Sequence, residues 1–140
     1  LPLASGQAID DSAVRSKLAD WYAKSAGLKN TGARAMSALS KGEIPGPENS
    51  IGKLVAGGMM QDIAKFALDL QGLGGLITDP EIARSQAQIQ AMLMRSPAVR
   101  IEGGTDQILR NIIAERVLGL PEDMRADKGL AFNQIPTGNS

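Results

Sequence analysis

Residues 100–110 read Arg-Ile-Glu-Gly-Gly-Thr-Asp-Gln-Ile-Leu-Arg. Two glycines stand directly before a hydroxyl residue, and the apolar spacing of a helix begins behind it. A Gly-Gly pair lets backbone take positive φ or come close to a ligand. A helix start presents free N–H groups and a partial positive charge, which suit a carbonyl or a phosphate. The same residues also describe a tight turn followed by an ordinary capped helix, with Thr105 as the cap. A second glycine-rich run, Gln71-Gly72-Leu73-Gly74-Gly75, reads from its residues as a helix stop.

The rest of the composition narrows the chemistry. The chain has 140 residues and neither cysteine nor histidine. Disulfides, thiolate nucleophiles, imidazole acids and bases, and metal sites built on Cys or His are therefore excluded. Lys plus Arg and Asp plus Glu are both 15, so the formal charge is zero. Nucleic acid and anionic membranes are recognised by a basic excess, and this chain has none. Carboxylates, lysines, arginines, hydroxyls, backbone groups and a bound cofactor remain. Met59, Met60, Met92 and Met94 stand at helical spacing and read as core filling rather than pocket lining. Arg95, Arg100, Arg110 and Arg116 read as solvated or paired with acids. Asp62 and Glu115 have no partner that spacing reveals.

The elements that must position these residues are helices. Aromatic residues are 3% of the chain and β-branched clusters are few, whereas Ala, Leu, Ile and Met are plentiful. Residues 1–11 read as an irregular lead-in. A first helix begins near Asp11 or Ser12 and carries Val14, Leu18, Trp21, Leu28, Met36 and Leu39 on one stripe. Gly42, Pro45, Gly46 and Pro47 end it. A second helix follows Asn49 or Ser50, carries Ile51, Leu54, Met59, Ile63 and Phe66 on one face, and breaks at Gly72–Gly75. Gly52, Gly57 and Gly58 inside it call for another helix or a ligand against them, since each interior glycine costs about 1 kcal/mol relative to alanine.

Asp79-Pro80-Glu81 starts a third helix, which Pro97 stops. A fourth opens at Thr105, carries Ile108, Leu109, Ile112, Ile113 and Val117, and closes at Gly119 and Pro121. Short connections make this an all-α, antiparallel four-helix bundle over residues 12–121. Residues 122–140 read as an irregular tail with a mobile Gly138-Asn139-Ser140 end. No apolar run approaches the roughly 18 residues of a membrane span. The expectation is a soluble, cytoplasmic protein with no nucleic-acid or membrane partner. The opening Leu-Pro-Leu has neither an initiator Met nor a leader pattern, as expected of part of a longer protein.

Gly103 through Pro121, Gly-Gly-Thr-Asp-Gln-Ile-Leu-Arg-Asn-Ile-Ile-Ala-Glu-Arg-Val-Leu-Gly-Leu-Pro, resembles the C-terminal signature of flavin-dependent acyl-CoA dehydrogenases. Ser50 with Lys53-Leu54, and the helix ending Leu68-Asp69-Leu70-Gln71-Gly72, resemble the segment that precedes that signature in the family. Together these cover about residues 12–121, and the bacterial, particularly actinobacterial, branch looks closest.

The resemblance implies the C-terminal helical domain of an enzyme that also has an N-terminal helical domain and a middle β-domain. It implies α,β-dehydrogenation of acyl-CoA thioesters, as in fatty acid β-oxidation and lipid metabolism. In that reaction a carboxylate takes the α-proton and hydride passes from the β-carbon to FAD. Electrons then go to an electron-transferring flavoprotein. A homodimer or homotetramer, or a heteromeric dehydrogenase, is implied as well. The fragment alone is not expected to turn over.

By the same resemblance, Gly104 matches a glycine whose backbone lies beside the substrate thioester. Thr105, Asp106 and Gln107 match a turn that contacts the diphosphate and adenosine side of the flavin. Asp69 and Gly72 fall in a flavin-contacting segment usually written Gln-x-x-Gly-Gly, where Asp69 replaces the Gln and Leu73 the second Gly. Many members carry their catalytic base as Glu immediately before Gly-Thr, a position held here by Gly103. Three arrangements stay open: a base outside these residues, Glu102 one residue earlier, or a base-less subunit with a catalytic partner. A catalytically silent helical subunit or interaction module is the other class of function.

Overall fold

Asp11 starts the first long helix by accepting the backbone N–H groups of Ala13 at 2.7 Å and Val14 at 3.2 Å. In the computed structural model, which describes residues 2–3, 6–44, 46–83, 86–122, 124–125 and 127–135, this helix is α1, Ser12–Ser40. It ends where the Gly42 N–H turns back to the Leu39 carbonyl. Helix α2 spans Asn49–Asp69 and runs on, through a short turn, into a 3-10 segment at Gly72–Leu76. Asp79 accepts the Glu81 N–H at 2.9 Å at the start of α3, Pro80–Ala83. Helices α4, Gln86–Val99, and α5, Asp106–Ile112, complete the set among the described residues.

The chain is all-α, as its composition indicated. Local details differ from the sequence reading: the helix expected from Asp79 is described as two segments, Pro80–Ala83 and Gln86–Val99, and the tail holds a 3-10 turn at Phe132–Gln134. The lead-in is folded: Pro2–Leu3 pairs antiparallel with Gly6–Gln7, and a 3-10 turn at Ala8–Asp10 seats the buried Ala8 beside the start of α1. Two-residue strands are too short for any alternation to show in a sequence. Pro97 does not stop its helix, which runs to Val99. The Leu93 carbonyl that a proline at 97 deprives of its usual N–H partner instead receives the Ser96 hydroxyl at 2.8 Å. Finally, α5 loosens after Ile112 into a π turn over Ile113–Val117, with the Leu118 N–H reaching back to Ile113 at 3.0 Å. The expectation for residues 138–140 falls outside the described residues.

Helix α2 is the hub, and α1, α4 and α5 all pack on it. Lys17, early in α1, meets Asp62, late in α2. Val99, at the end of α4, faces Gly57, while Leu93 shares a cleft with Leu68. Helices α1 and α4 therefore both run antiparallel to α2. The deepest positions are small: Gly57, Ala64, Ala83 and Ser96 are buried, which lets backbones approach closely.

Large apolar side chains are mostly not covered. Val14 is buried and Trp21 and Leu28 are half-buried, but Leu18, Met36 and Leu39 on the same stripe are exposed. Ile44 is 92% and Leu73 84% accessible. The accessible surface is 10268 Å² for 14.7 kDa, against about 6900 Å² for a compact monomer of that mass. No helix among the described residues is long and apolar enough to cross a membrane.

One polar cluster joins α1 to α2. The Trp21 indole N–H donates to Asp62 at 2.8 Å, the Lys17 ammonium lies 3.2 Å from the same carboxylate, and the Trp21 and Phe66 rings meet edge to face at 5.5 Å. The Trp21 hydrogen bond, reinforced by Lys17, holds the Asp62 carboxyl below its ordinary range. A carboxyl depressed in the folded state stabilises the fold above its unfolded pKa of about 3.9. That contribution disappears as pH falls through the still lower folded value. The wild-type chain is expected to melt above Asp62→Asn near neutral pH, with the gap closing on acidification below about pH 4. A gap in thermal unfolding that ignores pH would show that the charge of Asp62 contributes nothing.

Candidate functional site

Lys53, Gly57 and Gln61 stand four residues apart and form one row along α2. Across Gly57 lies the stem of Arg100: a Cβ at Gly57 would sit 3.4 Å from Arg100 Cγ and 3.8 Å from Val99 Cγ1. The glycine thus meets its close neighbour within the chain, whereas nothing lies within 4 Å of the corresponding positions at Gly52 and Gly58. From this crossing the Arg100 guanidinium spreads to two partners. Nε and Nη2 reach Asp106 Oδ2 at 2.7 and 2.6 Å, and Nη1 donates to Gln61 Oε1 at 2.6 Å. Asp106 is only 5% accessible, a depth at which a carboxylate requires such a partner.

The loop between these two residues is closed twice. The Asp106 N–H donates to the Arg100 carbonyl at 3.2 Å, and the side chains pair above it. Within the loop, Gly103 and Gly104 have φ of +61° and +104°, a left-handed region that side-chain-bearing residues resist. The Lys53 ammonium donates to the Gly104 carbonyl. Thr105 then caps α5 by accepting the Ile108 N–H at 3.3 Å. Among the described residues, no protein acceptor reaches the backbone N–H of Gly103, Gly104 or Thr105. Three donors on one turn are left for water or a ligand. A shallow cleft of about 230 Å³, lined by Gln61, Pro97, Arg100, Ile101, Asp106 and Gln107, opens beside them.

The structure brings Gly104, Thr105, Asp106 and Gln107 together at this turn. The Asp106 carboxylate is turned inward to Arg100, so an outward contact from Asp106 is limited to its backbone. Glu102 lies on the same turn with its carboxylate engaged by Arg95 Nη2 at 2.6 and 2.7 Å. Asp69 and Gly72 lie at the opposite end of α2, where they line a cleft of about 510 Å³ with Leu68, Gly75 and Leu93. The sixteen residues from Lys53 to Asp69 span roughly 24 Å at the helical rise. Beside that cleft the Gln71 Oε1 is buried without a partner among the described residues. Met94 is 81% exposed and so fills no core within this chain.

Lys53, Gly57 and Gln61 carried no site assignment from sequence. Their signal was a row of a polar, a small and a polar residue cutting across a helix that is otherwise largely apolar. Arg100 was read as solvated or paired, and its acid is the buried Asp106.

The fold and this turn define a class. The family model for the acyl-CoA dehydrogenase C-terminal domain matches residues 3–118, and the chain belongs to that family. Among curated relatives, it is 33% identical over 118 residues to acyl-CoA dehydrogenase IpdE1 of Mycolicibacterium smegmatis, covering 84% of this chain and 28% of that protein. It is 30% identical over 125 residues to acyl-CoA dehydrogenase IpdE1 of Mycobacterium tuberculosis, covering 84% and 29%. It is also 31% identical over 80 residues to acyl-CoA dehydrogenase FadE34 of the same organism, covering 57% and 10%. The chain thus spans less than a third of the length of these relatives. No solved structure matches it significantly.

Two substitutions separate the cap from the turn. Thr105→Ala is expected to cost about 1 kcal/mol of stability through loss of the Ile108 N–H acceptor. Gly104→Val should cost more, about 1–2 kcal/mol, because a β-branched residue is forced to positive φ. Chemical denaturation of both variants checks this order. Equal stability of Gly104→Val and wild type would mean that the turn does not need its left-handed conformation.

Proposed function

We propose that this chain is the C-terminal helical part of a flavin-dependent dehydrogenase of acyl-CoA thioesters. The observation that carries the reading is the row of N–H groups on the Gly103–Thr105 turn that have no protein acceptor among the described residues, in a chain of the acyl-CoA dehydrogenase family. Such donors suit the oxygens of a thioester or of a flavin diphosphate, and the open space beside Gly103 leaves room for them to approach. FAD, when bound, accepts the hydride that leaves the β-carbon of the acyl group. The residues of this chain bind and orient. Gly104 lets backbone lie against the thioester, while Thr105 and Gln107 face the diphosphate and adenosine side.

The base that removes the α-proton is assigned outside these residues. Glu102 is committed to Arg95 and Asp106 to Arg100, which leaves no free carboxylate on the turn among the described residues. The Asp69–Gly72 end of α2 is too far from the turn to meet the same part of one cofactor. It is assigned to a second FAD in a dimer or tetramer, with the exposed apolar side chains of α1 and of the Gly72–Ile77 segment as docking surfaces for other domains or subunits. Electrons leave to an electron-transferring flavoprotein. A heteromeric assembly in which a partner subunit supplies the base is the second reading, favoured by the two occupied carboxylates.

The test uses the full-length protein, alone and with any co-purifying subunit. It is expected to carry FAD and to show bleaching of the flavin absorbance when a matching acyl-CoA from a chain-length and branched panel is added without oxygen. Absence of flavin together with no bleaching by any member of the panel would overturn the assignment.

A further inference from the structure

We propose that Lys53 is a positioning residue that sets the hold of the Gly103–Thr105 turn on FAD, acting through the Gly104–Thr105 peptide. The proposal rests on the acyl-CoA dehydrogenase reading above. Lys53 is half-buried, and among the described residues its ammonium pairs with no carboxylate. Its contact is the neutral carbonyl of Gly104. Asp106, the buried acid among the described residues, is already paired with Arg100. A cation placed on a carbonyl does two things that a neutral donor does less well. It anchors the peptide plane by a charge-assisted hydrogen bond, and it polarises the peptide it binds.

The direction of that polarisation is set by covalent geometry. A trans peptide carries its C=O and N–H on opposite sides, and the chain has no cis peptide among the described residues. The carbonyl of Gly104 points to Lys53 on α2, so the N–H of Thr105 points away from α2. That N–H is one of the three without a protein acceptor among the described residues. Arg100 fixes the far end of the loop through Asp106 and Gln61, so Lys53 governs the part the ion pair leaves free. Glycines at 103 and 104 give the turn little stiffness of its own, and an external anchor is needed to keep the donor aimed.

The experiment is reconstitution of the full-length apoprotein with FAD, comparing wild type, Lys53→Met and Lys53→Arg. Lys53→Met is expected to raise the FAD dissociation constant about tenfold, the scale of one charge-assisted hydrogen bond. The apoprotein melting temperature should fall by no more than the loss of one hydrogen bond allows, and Lys53→Arg should restore most of the affinity. The loss should persist near 1 M salt, where screening acts beyond about 3 Å. An unchanged dissociation constant in Lys53→Met overturns the proposal, as does a loss that vanishes in salt or an equal loss in Asp62→Asn, which destabilises the apoprotein at the separate Trp21–Lys17 cluster. Wild type that binds no FAD would instead overturn the proposed function, so the two failures are distinguishable.

Discussion

A carboxylate at the depth of Asp106 is tolerated only if a cation and further hydrogen bonds replace the water it has lost. Arg100 supplies these, and much of the surrounding structure follows from letting it arrive. Its stem must cross α2, which makes residue 57 a glycine. Its remaining donor needs an acceptor, which Gln61 provides one turn further along. Holding Arg100 and Asp106 together closes a short loop, and a loop that short reverses direction only through left-handed backbone at Gly103 and Gly104. Hydrogen bonds to charged groups contribute about 1.5–3 kcal/mol each, although here the figure is reduced because the Arg100 side chain remains 40% exposed. Geometry matters more than the energy: the ion pair closes the loop ahead of α5, Thr105 caps the helix, and Lys53 holds the Gly104 carbonyl between them.

The same helix organises everything else. Helix α2 carries the Trp21, Lys17 and Asp62 cluster on one side, and the 53–57–61 row on another. Its tight contacts use small residues, so little apolar area is buried per contact, and Leu and Ile side chains on α1 and after α2 stay in solvent. A domain with this much uncovered apolar surface gains stability from whatever docks on it. Its relatives are more than three times as long as the segment they share with it.

Local signals in the sequence were sufficient for the class and for the long helices. Scarce aromatics, few β-branched clusters and apolar periodicity pointed to an all-α chain. Asp11 and Thr105 were readable as caps because a cap acts within three residues of itself. Gly103-Gly104-Thr105 was readable as a turn before a helix for the same reason, and the stretch through Pro121 carried the family resemblance. Pro97 misled because the rule that proline ends a helix ignores the rescue of the Leu93 carbonyl by Ser96.

What the sequence could not show are pairings between residues far apart along the chain. Asp62 looked partnerless because Lys17 and Trp21 lie more than forty positions away. Arg100 could be assigned an acid only in general terms, and Lys53 gave no sign that it would reach the Gly104 carbonyl 51 positions on. The spacing of Lys53, Gly57 and Gln61 placed them on one row, but which segment would lie across that row depended on how α4 packs on α2. Propensity, capping and turn chemistry act over a few residues, so a sequence determines them by itself. Which charges are buried, which donors stay free and how far apart two glycine-rich segments end up are set by helix packing, and only the tertiary structure decided them.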